Sequence, residues 1–509
     1  MFCFVFGLPV STGLSSLVSS RSSDSTCAPQ RTNYKYCHTW KWTSSVGSLH
    51  IVHIILPRST RWQKFEHKNK IQAQYVEILL VLSADVLQTL SECEPFFQSC
   101  ELIIAHHLLS KTSFLTRIMT ISSPLPSKIL ILGGYGNTGR ALVPLLLKHT
   151  IASIVISGRN REKAIAFAKE LGQEHETRVS TAQVDASDSQ SLLEAFSSDG
   201  VTLVIVVSTT SKYVEKVAQA ALDAKIDYMD IHLSSPHKTE FLESLKEKIT
   251  QAGLCFVTDG GFHPGLPAAM VRYLALSFAQ LETALVGSVI QMDWNSCQDN
   301  MSANAAEEFA SEFGDMQAIV YKDSKWHDLG LMGMMAAKPL YMNFGEPFGS
   351  RPLLPMHLEE MRCIPTIFPS VKATGFYVGG FNFVTDYLIS PLVIISVKLF
   401  PASKRIMGQL LYWSLRTFSK PPFATILKAE ATGLNDKGDR MEKTLLLAHE
   451  DGYAVTAIPV AATVMQYLSP STTGSIRKPG LWRQAAVVEP RQFFQDLEMM
   501  GVRIEPPVA

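Results

Sequence analysis

Residues 128–147 leave little freedom in how this part of the chain folds. Lys128-Ile-Leu-Ile-Leu-Gly133 is short, aliphatic and bounded by glycine, as a parallel strand buried on both faces must be. It runs at once into Gly134-Tyr135-Gly136-Asn137-Thr138-Gly139, a G-x-G-x-x-G. A helical pattern follows, carried by Ala141, Leu142, Leu145, Leu146 and Leu147. In a strand–turn–helix of this kind, Gly134 permits the tight turn, Gly136 lets the backbone approach a pyrophosphate, and Gly139 lets helix and strand pack closely. The helix N-terminus offers unpaired N–H groups and a positive dipole end to the phosphates. Pro144 sits inside the predicted helix and is expected to kink it or to remove one hydrogen bond.

The next predicted strand, Ile151–Ile156, ends in Ser157-Gly158-Arg159-Asn160-Arg161. A site for NAD often carries Asp or Glu here to hold the ribose 2′-hydroxyl. This chain has Arg159 instead, and a guanidinium suits a 2′-phosphate through charge-assisted bonds, so NADP(H) is the expected cofactor. Arg178–Val184 reads as a strand ending at Asp185, placed to flank an adenine, with Ser187 or Asp188 capping a helix through Phe196. Val201–Val207 ends in Ser208-Thr209-Thr210, where a nicotinamide ribose would cross the sheet. A helix (Tyr213–Ala224), a strand (Tyr228–Ile231), a helix (His237–Ala252) and a strand (Leu254–Thr258) continue the alternation. Such repeated β-α-β units predict an α/β fold, a doubly wound parallel sheet with ligands at the carboxyl ends of its strands.

Ile131-Leu-Gly-Gly-Tyr-Gly-Asn-Thr-Gly-Arg140, Ser157-Gly-Arg159 and Asp259-Gly-Gly-Phe-His-Pro-Gly-Leu266 together resemble the saccharopine dehydrogenase/reductase family. The resemblance is strongest over residues 127–267. It implies a Rossmann NADP-binding domain (126–267), a second α+β domain with a mixed sheet (268–475) that takes substrate and often dimerises, and a tail (476–509) that returns to the Rossmann domain. In that family, amino-acid-metabolising members carry an acidic residue where His263 stands, which suits a substrate ammonium group. Its absence argues against an amino-acid substrate. His263 is then a candidate general acid, because imidazole titrates near neutrality, or a support for a Pro-Gly turn. His232 and Lys212 are the other catalytic candidates, and no metal ligands are expected.

In the second domain, Ser302 is placed to cap a helix through Phe313, Met316–Leu329 reads as a strand pair, and Ile426–Thr432 with Thr444–His449 reads as a hairpin. Pro459 interrupts a predicted helix, Tyr453–Leu468, and Glu489-Pro490 opens an amphipathic one. Gly375–Phe418 stands apart, rich in Phe, Tyr and aliphatic residues and flanked by Lys398, Lys404, Arg405, Arg416 and Lys420. Asp386, Pro391, Lys398 and Pro401 break it too often for a bilayer span. It reads as core and dimer face, as a wall of an apolar substrate pocket, or as a contact with a membrane surface.

Charge separates the ends of the chain. The 509 residues carry 46 basic and 46 acidic side chains, so no excess of positive charge points to nucleic acid. Residues 1–118 hold 11 basic and 7 acidic side chains and five of the eight cysteines. The Ser-rich, acid-poor start resembles an organellar transit segment, while the motif that follows Met119 so closely reads as the ordinary start of a cytoplasmic enzyme. Residues 1–125 are therefore read as an extension outside the catalytic unit and poorly ordered. The expected activity is NADP-dependent hydride transfer to or from a C=N, C=O or conjugated C=C bond of a small, apolar substrate. The alternatives are a saccharopine or amino-acid imine reductase and a membrane-associated nucleotide-binding scaffold without turnover. The expected partners are a small-molecule substrate and a second copy of the chain.

Overall fold

The computed structural model describes residues 34–43, 49–57, 127–295, 303–330, 333, 338–470, 475–506 and 508. The chain divides into two units, 1–120 and 121–509. In the first, β1 (Tyr34–Thr43) and β2 (Leu49–Pro57) form an antiparallel pair. The remainder of the expected leader, and Ser302, lie outside the described residues.

The second unit opens with alternating strands and helices: β3 (Lys128–Leu132), α1 (Asn137–His149), β4 (Ser153–Gly158), α2 (Arg161–Glu170), β5 (Val179–Gln183), α3 (Ser189–Phe196) and β6 (Val201–Val206). It continues with α4 (Val214–Asp223), β7 (Asp227–Asp230), α5 (Pro236–Gln251) and β8 (Cys255–Thr258). Their sheet is parallel throughout, in the order β17-β8-β7-β6-β3-β4-β5, with β17 (Gly480–Arg483) supplied by the end of the chain. Both faces are covered. Ile129 and Ile131 of β3 enter one core cluster while Leu130 and Leu132 enter another. Side chains of a strand alternate between faces, so a strand covered on both sides must be apolar at every position.

Helix α1 runs unbroken through Pro144. That proline is exposed, so its ring displaces no core side chain. Several helix starts follow local chemistry. Asn160, Asp188, Ser235 and Glu489 each accept a first-turn backbone N–H on a side-chain oxygen.

The second sheet is mixed, in the order β11-β10-β14-β9-β15-β16-β18, with β12 and β13 attached beside β14. Its strands are β9 (Gln280–Gln291), β10 (Ile319–Lys322), β11 (Lys325–Asp328), β12 (Leu340–Asn343), β13 (Ser350–Met356), β14 (Ala373–Gly379), β15 (Ala424–Leu434), β16 (Arg440–His449) and β18 (Arg503–Glu505). β9 and β14 run parallel; the other pairs are antiparallel. Two helices join the sheets into one core. α6 (Pro267–Ala275) and α10 (Gly452–Leu468) are buried along most of their length and share a cluster with Ile129 of the first sheet and Val286, Leu427 and Leu445 of the second. α10 is apolar around its whole circumference, as an internal helix must be. A third layer holds α7 (Ala303–Asp315), α8 (Ser390–Leu399) and α9 (Lys404–Phe418), packed around Trp294, Ala310, Val397 and Leu411. The tail divides its contacts: β17 and α11 (Pro490–Met499) lie on the core, and β18 closes the edge of the second sheet beside β16.

Candidate functional site

The chain lays down β3, β4 and β5 in one direction, then returns to place β6 on the other side of β3. Between β3 and β6 the connections diverge, and ligands of open α/β sheets bind at such a point. Ser208, just past β6, closes on Gly133, just past β3. A Cβ added at Gly133 would lie 2.6 Å from the Ser208 Cβ, and Gly133 has φ +92°, so only glycine fits there. The positive φ of the turn thus falls on Gly133 and not on Gly134, a correction to the expected division of labour. Gly134 instead gives closeness: its Cβ would meet the Ile131 carbonyl oxygen at 3.1 Å.

Gly139 behaves as expected, since a Cβ there would stand 2.4 Å from the Gly133 carbonyl oxygen. Gly136 is the N-cap of α1, and no side chain caps the helix. The first-turn N–H groups of Asn137, Thr138 and Gly139 therefore have no side-chain acceptor of their own, which is the arrangement that accepts a phosphate. Tyr135 folds over β4: its ring covers Gly158, and its hydroxyl accepts the Asn160 N–H at 2.8 Å. Arg159, the next residue after Gly158, is exposed at the end of β4. Two hydrogen bonds from Ser187 hold the Asp185 carboxyl below its ordinary range, with smaller help from the charges of Arg159 and Lys216. The residues present therefore fit NADP(H), with α1 for the pyrophosphate and Arg159 for a 2′-phosphate.

At the other side of the switch point, the Ser208 and Thr210 hydroxyls lie 3.0 Å apart and Thr209 is exposed. His232 Nε2 lies 2.7 Å from the Ser208 carbonyl oxygen. A carbonyl can only accept, so Nε2 carries a proton, and Nδ1 is buried with no protein partner. His232 thus joins Ser208 at the site. Lys212 is exposed on a single helical turn, its ammonium 5.0 Å from the Tyr213 ring.

The chemically densest cluster was not read from the sequence. Lys238, buried on α5, directs its ammonium to Asp230 Oδ1 at 2.8 Å, the His232 carbonyl at 2.6 Å and Asp259 Oδ1 at 3.2 Å. Asp230 Oδ2 accepts from the Tyr228 hydroxyl at 2.7 Å and Thr258 Oγ1 at 3.0 Å. Burial alone would raise the Asp230 pKa, but the Lys238 and His232 charges and these bonds outweigh it and hold it low. Asp259, at φ +56°, also accepts from Ser234 and forms an ion pair with Arg483 Nε at 3.2 Å. The sequence signal was two aspartates at the carboxyl ends of neighbouring strands, Tyr228–Asp230 and Cys255–Asp259, without an indication of their partner.

His263 lies elsewhere. Its ring packs at a tilt against Phe262 at 4.4 Å and Phe376 of β14 at 5.5 Å. Burial pushes its pKa down to about 4, so at neutral pH it is an uncharged ring with a partnerless Nε2. That environment opposes the expected role as a general acid. Nearby Glu360 accepts the Gly265 N–H at 3.1 Å, and burial pushes its carboxyl up to about 8. From the third layer, Glu308 of α7 accepts the Ser211 N–H at 2.9 Å, and burial pushes Glu312 up to about 8. A cleft of about 800 Å³ opens beside the first turn of α1, between Asn137 and Arg140 on one side and Asp293, Phe423 and Tyr453 on the other.

Residues 129–257 match the family described as the saccharopine dehydrogenase NADP binding domain. Among solved structures, apo saccharopine dehydrogenase (L-Glu forming) from Saccharomyces cerevisiae is similar at 14% identity and a TM-score of 0.51, over 74% of this chain and 99% of that one. A meso-dapdh mutant with DAP from Clostridium tetani shares 13% identity at a TM-score of 0.35, over 72% of this chain and 95% of that one. The match spans the strand–turn–helix, Arg159 and the switch point together, so residues 129–257 are a domain of the saccharopine dehydrogenase NADP-binding family.

Proposed function

We propose that the protein is an NADP(H)-dependent oxidoreductase acting on a C=N, C=O or conjugated C=C bond of a small, apolar substrate. The observation that carries this reading is the pairing of an uncapped α1 start with an exposed Arg159 on the neighbouring strand, both at the switch point marked by Gly133 and Ser208. Bound NADP(H) supplies a hydride donor or acceptor at carbon. The chain's part is to bind and orient. Ser208 and Thr210 offer hydroxyls beside the nicotinamide side of the sheet, and the His232 N–H fixes the Ser208 carbonyl. The Lys238 ammonium in turn fixes the His232 backbone through its carbonyl.

An amino-acid imine substrate is less well supported. Asp230 and Asp259, the acids at the strand ends, are already engaged by Lys238 and Arg483 and have no charge to spare for a substrate ammonium. The test is to titrate the purified protein with NADPH by fluorescence, then follow NADPH absorbance with panels of enones, ketones, cyclic imines and α-amino acids. Turnover confined to the apolar panels supports the proposal. Turnover confined to amino acids overturns the substrate class. Tight NADPH binding without turnover on any panel identifies a nucleotide-binding scaffold.

A further inference from the structure

We infer that α8 and the start of α9 form a docking surface for an anionic lipid membrane. Fifteen large hydrophobic side chains are exposed among the described residues, and nine of them fall between Phe383 and Trp413. Their arrangement is helical. Leu388, Leu392, Ile395 and Leu399 recur every three or four residues, so they form one stripe along α8 and the turn before it. The opposite face of α8 is also apolar: Val393 and Val397 are buried in the third-layer core and Ile394 is buried against Ala318. A helix that is apolar on every side belongs inside a protein or in lipid, yet this one leaves a full face uncovered.

Aromatic rings bound the stripe. Phe383 and Tyr387 pack at a tilt, 5.0 Å apart, near its start and are 73% and 56% exposed; Phe400 ends it at 66%. On α9, Ile406 and Trp413 add exposed side chains. From Leu388 to Phe400 the stripe spans about 18 Å at the helical rise, long enough to lie in a membrane interface and too short to cross one. No helix among the described residues is long and apolar enough to cross a membrane.

Charge selects the occupant. Residues 387–429 contain six basic side chains and no Asp or Glu. Lys398 and Arg405 lie exposed directly beside the stripe, at the end of α8 and the start of α9. Two copies of this face brought together would oppose like charges, which is unfavourable for self-association. An anionic lipid surface answers both properties: apolar side chains enter the acyl boundary while the basic groups meet headgroups. The layer also reaches the candidate site. Gly408 of α9 sits so close to α7 that an added Cβ would meet the Ala306 carbonyl oxygen, and α7 carries the Glu308 that holds Ser211.

The experiment is vesicle flotation of the full chain, using phosphatidylcholine alone and phosphatidylcholine with phosphatidylserine at roughly a third of the lipid. The wild type is expected to float with the anionic vesicles and to lose binding as salt rises. L392E/L399E changes only exposed positions and is expected to lower the bound fraction at least about tenfold. K398E/R405E is expected to abolish the preference for phosphatidylserine. Unchanged NADPH affinity shows that each variant is folded. The inference is overturned if the wild type floats with neither vesicle, or if L392E/L399E floats as well as the wild type. It is also overturned if sedimentation shows a dimer that L392E/L399E dissociates, because a second copy then covers the face.

Discussion

Lys238→Met tests whether the buried charge cluster organises the carboxyl ends of β7 and β8. Methionine approximates the length and shape of the lysine stem and removes only the ammonium. That leaves Asp230 without its closest positive charge, at 0% exposure. Removing one partner of a buried ion pair costs about 3–5 kcal/mol. The lower end applies here, because Asp230 keeps the Tyr228, Thr258 and His232 hydrogen bonds and Asp259 keeps Arg483. With an unfolding entropy of about 2.1 cal/mol/K per residue over roughly 390 residues, 3 kcal/mol lowers Tm by about 4 °C.

The pH dependence sharpens this prediction. In the wild type the folded Asp230 pKa lies below its unfolded value, so its stabilisation is present above about pH 4 and is lost as pH falls through the folded pKa. In the variant, burial is no longer opposed by Lys238 and the folded pKa rises. The variant then loses stability as pH rises through that higher value. The Tm difference between the two proteins should therefore be largest near neutrality and should shrink towards about pH 4.5. Melting followed by circular dichroism at both pH values is the assay. A variant within about one degree of wild type at neutral pH, or a gap that widens in acid, refutes the assignment. Adding Asp230→Asn to the variant should restore part of the loss, as coupling within a contacting pair requires.

Arg159→Asp should weaken NADPH binding at least about tenfold and leave NADH binding nearly unchanged, because only NADPH carries the 2′-phosphate; equal losses in fluorescence titrations remove that assignment. His263→Phe should keep NADPH-dependent turnover within about twofold, since the ring already sits uncharged between Phe262 and Phe376. The same variant should soften acid unfolding between about pH 4 and 6.5: a folded pKa below the unfolded one makes wild-type stability fall as pH drops through that window. Lost turnover with intact NADPH binding would return His263 to the chemistry. A chain restricted to residues 121–509 should melt and bind NADPH as the full chain does, because those residues form a unit of their own; an insoluble product would show that the preceding residues complete the core.

What could be read from the residues follows from how local the signals are. β3, β4 and β6 were legible because a doubly covered strand writes its burial into an unbroken aliphatic run. The nucleotide turn was legible because its glycines answer to contacts within a few residues. β7 was harder: Asp227 and Asp230 interrupt it, yet all four of its residues are buried. Asp227 accepts from the Cys255 N–H at 2.9 Å, from the Tyr467 hydroxyl and from Arg477 Nε at 2.7 Å. The last two partners lie some 240 and 250 positions away, and no local pattern encodes them. Lys238 lies only 8 and 21 positions from the two acids it joins, but nothing in the polar pattern of its helix marks it as the lysine that turns inward. The surroundings of His263 were hidden for the same kind of reason: a histidine's ordinary pKa is a property of the residue, whereas here burial pushes it down, under a ring contact with Phe376 of the distant β14.

Strand β17 gives the molecule a dependence on the order of synthesis. It occupies one edge of the nucleotide-binding sheet, pairing Gly480–Arg483 with Cys255–Thr258. Until it emerges from the ribosome, β8 has an open hydrogen-bonding edge, a template for pairing with other chains. Asp227 waits for Arg477, and Asp259 for Arg483, over the same interval. More than two hundred residues must be made before Asp227 meets its cation and before Asp259, already paired with Lys238, meets its second. The nucleotide-binding half is therefore not a module to be cut out at residue 267. It is an arch whose keystone is set last, and nascent or truncated chains are where chaperones and proteases should find their opening.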